Sequence, residues 1–375
     1  MAMPPSPHPP SKLFATLRVD LFQVTADIRK RGFTRSIVAA RDEAETFYLD
    51  RESREQLARM GSVRREITRV AWLIRSLLLR LTPMRRVLLA IALILLVSWV
   101  HFDPERGFYG RPSGLQVIAA IVIGIVLMLE LKDKLVARDE LVAGRVVQLA
   151  LMPTESPVIP GWDVWLYTQP ANDVGGDLVD HQLLGHGCHG IALGDVAGKA
   201  LPAALLMVKL QATIRALAPG SATLGSLGES VNRILHRDGL PNRFATLIYL
   251  VLAEQSDRVR YLLAGHLPPL VVRGDQITAL EPGSMAFGFL AEAAFNEESL
   301  ELKPGDVLVA FSDGVVEAVN AANEFFGDER LVAAVRSARG RPARAIGEAV
   351  LGALTAFVGE TKPYDDISIV VVRRT

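Results

Sequence analysis

Two uncharged apolar runs, Val87–Phe102 (VLLAIALILLVSWVHF) and Leu115–Leu129 (LQVIAAIVIGIVLML), stand twelve residues apart and limit what the first third of this chain can fold into. Covering both in water would take an unusually large core, whereas the interior of a bilayer is itself apolar. Each run is a little under the roughly 17–25 residues a spanning helix prefers, and snorkelling by Arg85, Arg86, Lys132 and Lys134 extends both. The connecting DPERGFYGRPSG, with three glycines and two prolines, reads as a turn. Arg80, Arg85 and Arg86 precede the first run, and Lys132 and Lys134 follow the second. By the positive-inside rule both ends of the hairpin face the cytoplasm. The expectation is a transmembrane hairpin over 87–131, with spans at 87–102 and 115–131.

Charge divides the rest. Residues 1–86 carry 17 Lys and Arg against 9 Asp and Glu, whereas residues 153–375 carry 18 against 26, so the net charge of zero hides a basic front and an acidic back. The front has no basic stripe interleaved with aromatics, which argues against nucleic acid. Its first ten residues are proline-rich and read as disordered, and the remainder up to residue 86 as a helical, Arg-rich cytoplasmic region without recognisable chemistry. Residues 132–152 read as a charged helical linker; with Leu131 just before it, Leu135, Val142 and Leu149 fit one register of a short apolar seam that Arg138 and Arg145 interrupt, a place for a homodimer contact. Pro153, Pro157 and Pro160 then mark the boundary of a domain over 153–375.

From Gly161 onward short β-rich runs alternate with helices. Strands are expected at Asp163–Thr168, Leu178–Leu184, His189–Asp195, Ala245–Ala253, Arg258–Ala264, Leu270–Arg273, Asp306–Ser312 and Ile367–Val372. Helices are expected at Pro202–Leu217, Leu224–His236, Arg330–Ala338 and Ala343–Val358, with Pro202 at a first helical position. Strands adjacent to strands and helices in pairs give an α+β fold with antiparallel sheets. A single cysteine, Cys188, excludes an intramolecular disulfide framework and a multi-thiolate zinc site.

Four acidic motifs stand at the edges of these strands: Gly175–Asp177 (GGD), Gly194–Ala200 (GDVAGKA), Ser312–Gly314 (SDG) and Asp365–Asp366. Asp177 and Asp195 flank a hairpin, so antiparallel pairing brings them together. Carboxylates gathered at one end of a sheet repel each other unless cations neutralise them. All-oxygen ligation favours Mg²⁺ or Mn²⁺ over zinc, and two such ions can activate water for displacement at phosphorus.

The segment from about Leu149 to Arg374 resembles the PP2C-type serine/threonine phosphatases, in particular their bacterial SpoIIE-like and RsbU-like branch. The likeness is carried by VQLALMP at Val147–Pro153, PGWDV at Pro160–Val164, DVGGDLVD at Asp173–Asp180 and GDVAGKALPAALLM at Gly194–Met207. It continues through Asn232, FATLIY at Phe244–Tyr249, AGHLPP at Ala264–Pro269, KPGDVLVAFSDGVVEA at Lys303–Ala318, FFGDERL at Phe325–Leu331 and YDDISIVVVRR at Tyr364–Arg374. The resemblance implies a PP2C-like αββα sandwich holding two Mn²⁺ or Mg²⁺ at one edge. It implies Asp177 and Asp195 as ligands from the first hairpin, Asp195 bridging both ions, the carbonyl of Val196 as a ligand of one ion, and Asp313 and Asp365 completing the ligands of the second ion. Asp366, Gly176 and Gly314 would support them; Asp366 stands where the wider family often has Asn. Ala197 and Ala200 replace the usual Ser and Gly.

The expected activity is hydrolysis of phosphoserine or phosphothreonine on a phosphorylated cytoplasmic protein, of the anti-sigma-antagonist kind the resemblance suggests. The expected location is a bacterial inner membrane, multi-pass, with both termini and the catalytic domain in the cytoplasm. The alternative is a catalytically silent membrane scaffold, against which all four acidic motifs argue. His181, His186, Cys188 and His189 read as turn decoration before a zinc site, Lys199 as a solvated loop lysine, and His266 as a buried turn histidine before a general acid.

Overall fold

The computed structural model describes residues 81–97, 101–103, 107–109, 114–238 and 243–375, with scattered positions between 56 and 75. Residues 1–55 of the expected Arg-rich region lie outside the described residues. The chain divides into two compact units, Met1–Leu135 and Val136–Thr375.

In the first unit, helix α1 (Pro83–Val97) leads to a small hairpin of β1 (His101–Asp103) and β2 (Gly107–Tyr109), paired through Phe102 and Phe108. Helix α2 (Gly114–Leu151) follows without a break for 38 residues. The first span was expected to run to Phe102; instead α1 starts early at Pro83, whose fixed φ suits a first helical turn, and His101–Phe102 belong to the hairpin. Arg85 reaches both Glu130 (3.0 Å) and Asp133 (2.7 Å), which ties the charged end of α1 to the end of the apolar part of α2. Small residues Ala92 and Ala119 are buried, while bulky Val87, Ile91, Ile94, Val117, Ile118 and Ile121 are exposed. Val126 of α2 is buried as well, and most of the bulky apolar side chains of the hairpin point outward. Among the described helices two are long and apolar enough to cross a membrane by length and composition, α2 and Ala200–Gly220; α1, with 15 residues, is shorter than that.

The second unit is built on two five-stranded antiparallel sheets. The first has the order β10-β7-β6-β5-β4 and the second β3-β12-β11-β8-β9. The strands are β3 (Trp162–Gln169), β4 (Leu178–Gly185), β5 (Cys188–Val196), β6 (Ala245–Ala253), β7 (Arg258–Ala264), β8 (Leu270–Arg273), β9 (Gln276–Ala279), β10 (Glu298–Glu301), β11 (Val307–Phe311) and β12 (Ile367–Arg374). The sheets face each other through Ile191, Leu193, Ile248 and Leu250 on one side and Val164, Leu308, Val370 and Val372 on the other. Helices α3 (Ala200–Leu217) and α4 (Leu224–Arg237) cover the outer face of the first sheet, placing Met207, Leu210, Leu227 and Val231 over Leu178, Ala192 and Leu247. A one-turn helix α5 (Asp313–Val316) follows β11, and α6 (Gly327–Ser337) with α7 (Ala343–Val358) cover the second sheet over Trp165, Val309, Ile369 and Val371. This is the αββα sandwich expected. Both faces of β12 are buried, so ISIVVV is apolar at every position but Ser368, alternate residues serving different layers.

Local chemistry fixes the helices. Thr223 and Ser226 form a reciprocal capping box at the start of α4. Gly347 of α7 lies flat on the Trp165 ring, where any Cβ would collide. α3 begins two residues before Pro202, and its first residue, Ala200, sits at φ +61°, a left-handed conformation that costs an L-residue about 1–2 kcal/mol. Ala200→Gly is therefore expected to stabilise the protein by about 1 kcal/mol, raising the melting temperature by roughly 2–4 °C. Thermal unfolding would check this, and an unchanged or lowered melting temperature would count against a strained Ala200.

Candidate metal centre at the sheet edge

Register explains the first pair of acids. β4 and β5 pair Leu178 with Gly194, which sets Asp177 and Asp195 opposite each other at one end of the first sheet. In the second sheet β11 and β12 pair Phe311 with Ile369, so Asp313, just beyond β11, and Asp365–Asp366, just before β12, share an end.

Asp366 joins the two sheets. Its Oδ1 accepts from the N–H of Ala171 (2.8 Å), and its Oδ2 from those of Gly176 (2.6 Å) and Asp177 (3.3 Å). One carboxylate thus grips the GGD loop across the sandwich. The glycines are what let it approach: a Cβ on Gly175 would lie 2.4 Å from Asp366 Oδ2, and one on Gly314 would lie 2.0 Å from the Asp366 carbonyl. A Cβ on Gly176 would fall 3.0 Å from the carbonyl oxygen of Val196. Ser312 Oγ donates to that same Asp366 carbonyl (3.1 Å) and accepts from the Ser368 N–H (3.0 Å), pinning the start of β12 to the end of β11.

The electrostatics are those of crowded, buried carboxylates. Asp195 is pushed up to about 7, first by burial and then by Asp313, Asp365 and Asp366, with a hydrogen bond to Asp177 opposing the shift. Asp177 is held well above the ordinary carboxylate range by burial and by Asp195, against the nearby Ser368 and Ser312 hydroxyls. Burial and Asp365 raise Asp313; burial also raises Asp366, its backbone N–H partners notwithstanding. Asp177 and Asp195 each act on the other's charge, so they titrate as a pair rather than singly.

A group of acids in this state lacks compensating positive charge. Asp177 Oδ2 is buried without a hydrogen-bond partner. Together with the all-oxygen donor set and the close-fitting glycines, that orphaned oxygen fits a hard divalent cation. Among the described residues no three His, Cys, Asp or Glu side chains close on a single point, so this is an open edge rather than a finished cage. Lys199 lies beside it, its Nζ 3.4 Å from Asp365 Oδ2, 3.0 Å from the Tyr364 carbonyl it donates to, and over the Tyr364 ring.

One further residue, within the VQLALMP stretch, takes a role that the sequence does not specify. Gln148 of α2 is buried, and its amide binds both sides of Gly175: Nε2 donates to the carbonyl (2.7 Å) and Oε1 accepts from the N–H (3.1 Å). The same helix end takes a hydrogen bond from Gln211 of α3 at the Leu151 carbonyl (2.7 Å). Arg243 donates to the Ala197 carbonyl (2.8 Å), and Phe244 accepts from the Ala197 N–H (2.9 Å), which holds the GDVAGKA loop to the strand beside it.

The other candidates fall elsewhere. His266 is buried and its imidazole is lowered to about 4 by burial, so it is neutral at pH 7; Nδ1 meets Thr246 Oγ1 at 2.8 Å. Asn232 anchors the 288–291 loop, donating to the carbonyls of Leu290 and Ala291 and accepting from Gly288. At the far end of the β4–β5 hairpin, His181 and His189 stack and meet at 3.1 Å, and His189 also meets Glu254 at 3.2 Å. His186 sits in the turn at positive φ and Cys188 is half-buried. Both nitrogens of His189 are taken by His181 and Glu254, and among the described residues no metal-ligand trio forms.

Residues 185–375 match the family profile of Stage II sporulation protein E (SpoIIE). Protein IcfG of Synechocystis sp. is 27% identical over 273 residues, covering 65% of this chain and 43% of that protein. The phosphoserine phosphatase RsbU of Bacillus subtilis is 24% identical, covering 61% and 68%. Among solved structures, the RsbU and RsbW domains of Rv1364c from Mycobacterium tuberculosis align with a TM-score of 0.52 at 26% identity, over 60% of this chain and 63% of that one. The SiaA-PP2C domain of Pseudomonas aeruginosa aligns at 0.56 and 19% identity, over 64% and 98%, a likeness of fold. The chain thus spans less than half of the cyanobacterial relative and under two thirds of the mycobacterial chain.

Proposed function

Because this chain belongs to the SpoIIE family of PP2C-type phosphatases, we propose that its acidic edge hydrolyses phosphoserine or phosphothreonine on a phosphorylated cytoplasmic protein. The observation that carries this is the grip of Asp366 on the GGD loop, which gathers Asp177, Asp195, Asp313 and Asp365 from two sheets into one field of mutually raised carboxylates. In this reading Asp177, Asp195, the Val196 carbonyl, Asp313 and Asp365 hold two Mn²⁺ or Mg²⁺, and Asp366, Gly176 and Gly314 shape the loops around them. Bound there, such ions would lower the pKa of a water and offset charge on the transferring phosphoryl group. The chain's own residues do the positioning: β4–β5 register sets Asp177 against Asp195, and Gln148 and Asp366 fix the loop between them. Lys199 adds positive charge at the rim, where an incoming phosphate would meet it. A partner of the anti-sigma-antagonist kind fits the family. The test is Mn²⁺-dependent phosphate release from p-nitrophenyl phosphate and from phosphoserine peptides by the full chain; no turnover of either would refute the reading.

We place this activity at the inner face of a bacterial inner membrane, with domains as read from the sequence: an Arg-rich region over 1–86, a hairpin over 87–131, a helical linker over 132–152 and the phosphatase domain over 153–375. The exposed bulky apolar residues of α1 and α2 support the hairpin. In a chain with Cys188 replaced by serine, Arg106→Cys is expected to react with an impermeant thiol reagent on intact cells, and Asp275→Cys only after lysis. Equal protection of both until lysis would rule out an externally exposed hairpin turn. Leu131, Leu135, Val142 and Leu149 stay exposed along α2, which supports a homodimer through the linker. Val142→Cys would then form a disulfide-linked dimer on mild oxidation, and a protein that stays monomeric would exclude that contact.

A further inference from the structure

A cavity of about 330 Å³ opens beside the acidic edge, between the C-terminal end of α7, the 361–365 loop and strands β3 and β12. Its lining is mostly apolar, with Tyr167, Leu354, Val358 and Pro363 among its walls, and it includes Gly314 and Asp365 of the acidic edge itself. Tyr167 is held in place: its ring stacks on Trp165 with centroids 5.5 Å apart, and its hydroxyl donates to Gln169 Oε1 at 2.6 Å. Small-molecule pockets begin near ~300 Å³, so this one suits a single large side chain rather than a folded element.

We propose that this cavity is a specificity pocket for a large apolar side chain of the protein substrate, lying within about three residues of the phosphorylated one. The proposal rests on the phosphatase reading above and names what the same site selects. An extended peptide advances about 3.3 Å per residue. With its phosphorylated residue against Asp195 and Asp313, such a peptide carries its neighbours across Gly314 and Asp365, which are the pocket's own rim. The walls beyond that rim offer apolar burial, with Glu317 and Lys362 as charges of opposite sign among them. Leucine, methionine or phenylalanine is the chemistry that fits.

The experiment uses the full chain in detergent and phosphoserine peptides flanked by alanines, with one leucine moved through three positions on either side. One leucine position should raise kcat/KM roughly tenfold over the all-alanine peptide and tighten binding similarly, as burial of one side chain allows. Thr355→Trp, which adds bulk on the cavity wall, should bring that preference to near onefold, each rate being divided by the same variant's rate on p-nitrophenyl phosphate. Ala318→Phe fills the cavity from the opposite side if the first variant misfolds. A leucine scan that is flat in both turnover and affinity overturns the proposal, as does a preference that survives both fillings. If neither p-nitrophenyl phosphate nor any peptide is turned over, the phosphatase reading fails, and peptide affinities from fluorescence anisotropy still decide whether the pocket discriminates.

Discussion

Asp195→Asn should lower Mn²⁺-dependent phosphatase activity at least about a hundredfold, and Asp313→Asn should do the same. Loss of a group that merely orients a metal ligand typically costs about 10–100-fold, and in the proposed reading these two are ligands themselves. The amide is isosteric, so packing around it changes little. Asp195 sits where β5 ends, and its replacement leaves the Leu178–Gly194 pairing intact. Circular dichroism and gel filtration would show a native protein, and phosphate release under saturating Mn²⁺ would show the loss. Wild-type rates in either variant would remove the acidic edge from the mechanism.

The same substitution should make the metal-free protein more stable. Asp195 is raised from an ordinary 3.8 to about 7, so between those values the folded protein holds a proton that the unfolded chain has released. For a raised acid the stabilising contribution is present at low pH and is lost as pH rises through the folded value. From pH 5 to 8 this one group takes away about 2–3 kcal/mol, and Asp177 is shifted in the same direction. In EDTA the wild-type melting temperature should therefore fall relative to that of Asp195→Asn by roughly 5–10 °C between pH 5 and pH 8. Mn²⁺ added at pH 8 should restore the wild type and help the variant far less, because an ion that binds only the folded state stabilises by mass action. A difference between the two proteins that does not change with pH would show that the Asp195 carboxyl is not raised in the folded state.

Much of the catalytic unit could be read from residues alone, and the exceptions have physical reasons. Ala245–Ala253, Arg258–Ala264, Leu270–Arg273 and Ala343–Val358 fall at the expected bounds, because apolar residues at strand or helix period are interrupted there by turn-forming ones. β9 and β10 escaped. Both lie at sheet edges, and QITA and ESLE are largely exposed, so neither shows an alternation that a core imposes. The five aspartates of the acidic edge were legible because each adjoins a glycine or a strand end, and antiparallel register does the rest. The elements that hold them were not. Nothing about a glutamine in a charged helix announces that Gln148 will clasp Gly175, and Ala200 gives no local hint of a left-handed backbone. Those facts belong to tertiary packing. The apolar hairpin was legible as composition, but the end of α1 depends on where the β1–β2 turn closes.

The grip of Asp366 on the GGD loop also dictates an order of assembly. Gly176 and Asp366 are 190 residues apart, and the hydrogen bond between them closes one of the longest loops in the unit. During synthesis the β4–β5 hairpin, with two of the acids, can form while most of the second sheet is still unmade. Until β12 is delivered, the GGD loop has no partner for its Gly176 N–H, and Asp177 and Asp195 face each other without the residues proposed to share their ions. Long-range closures of this kind come late, after their loop entropy has been offset by contacts already formed. A chain in which β12 has not yet paired therefore carries the GGD loop and two of the acids without the carboxylate that clamps them.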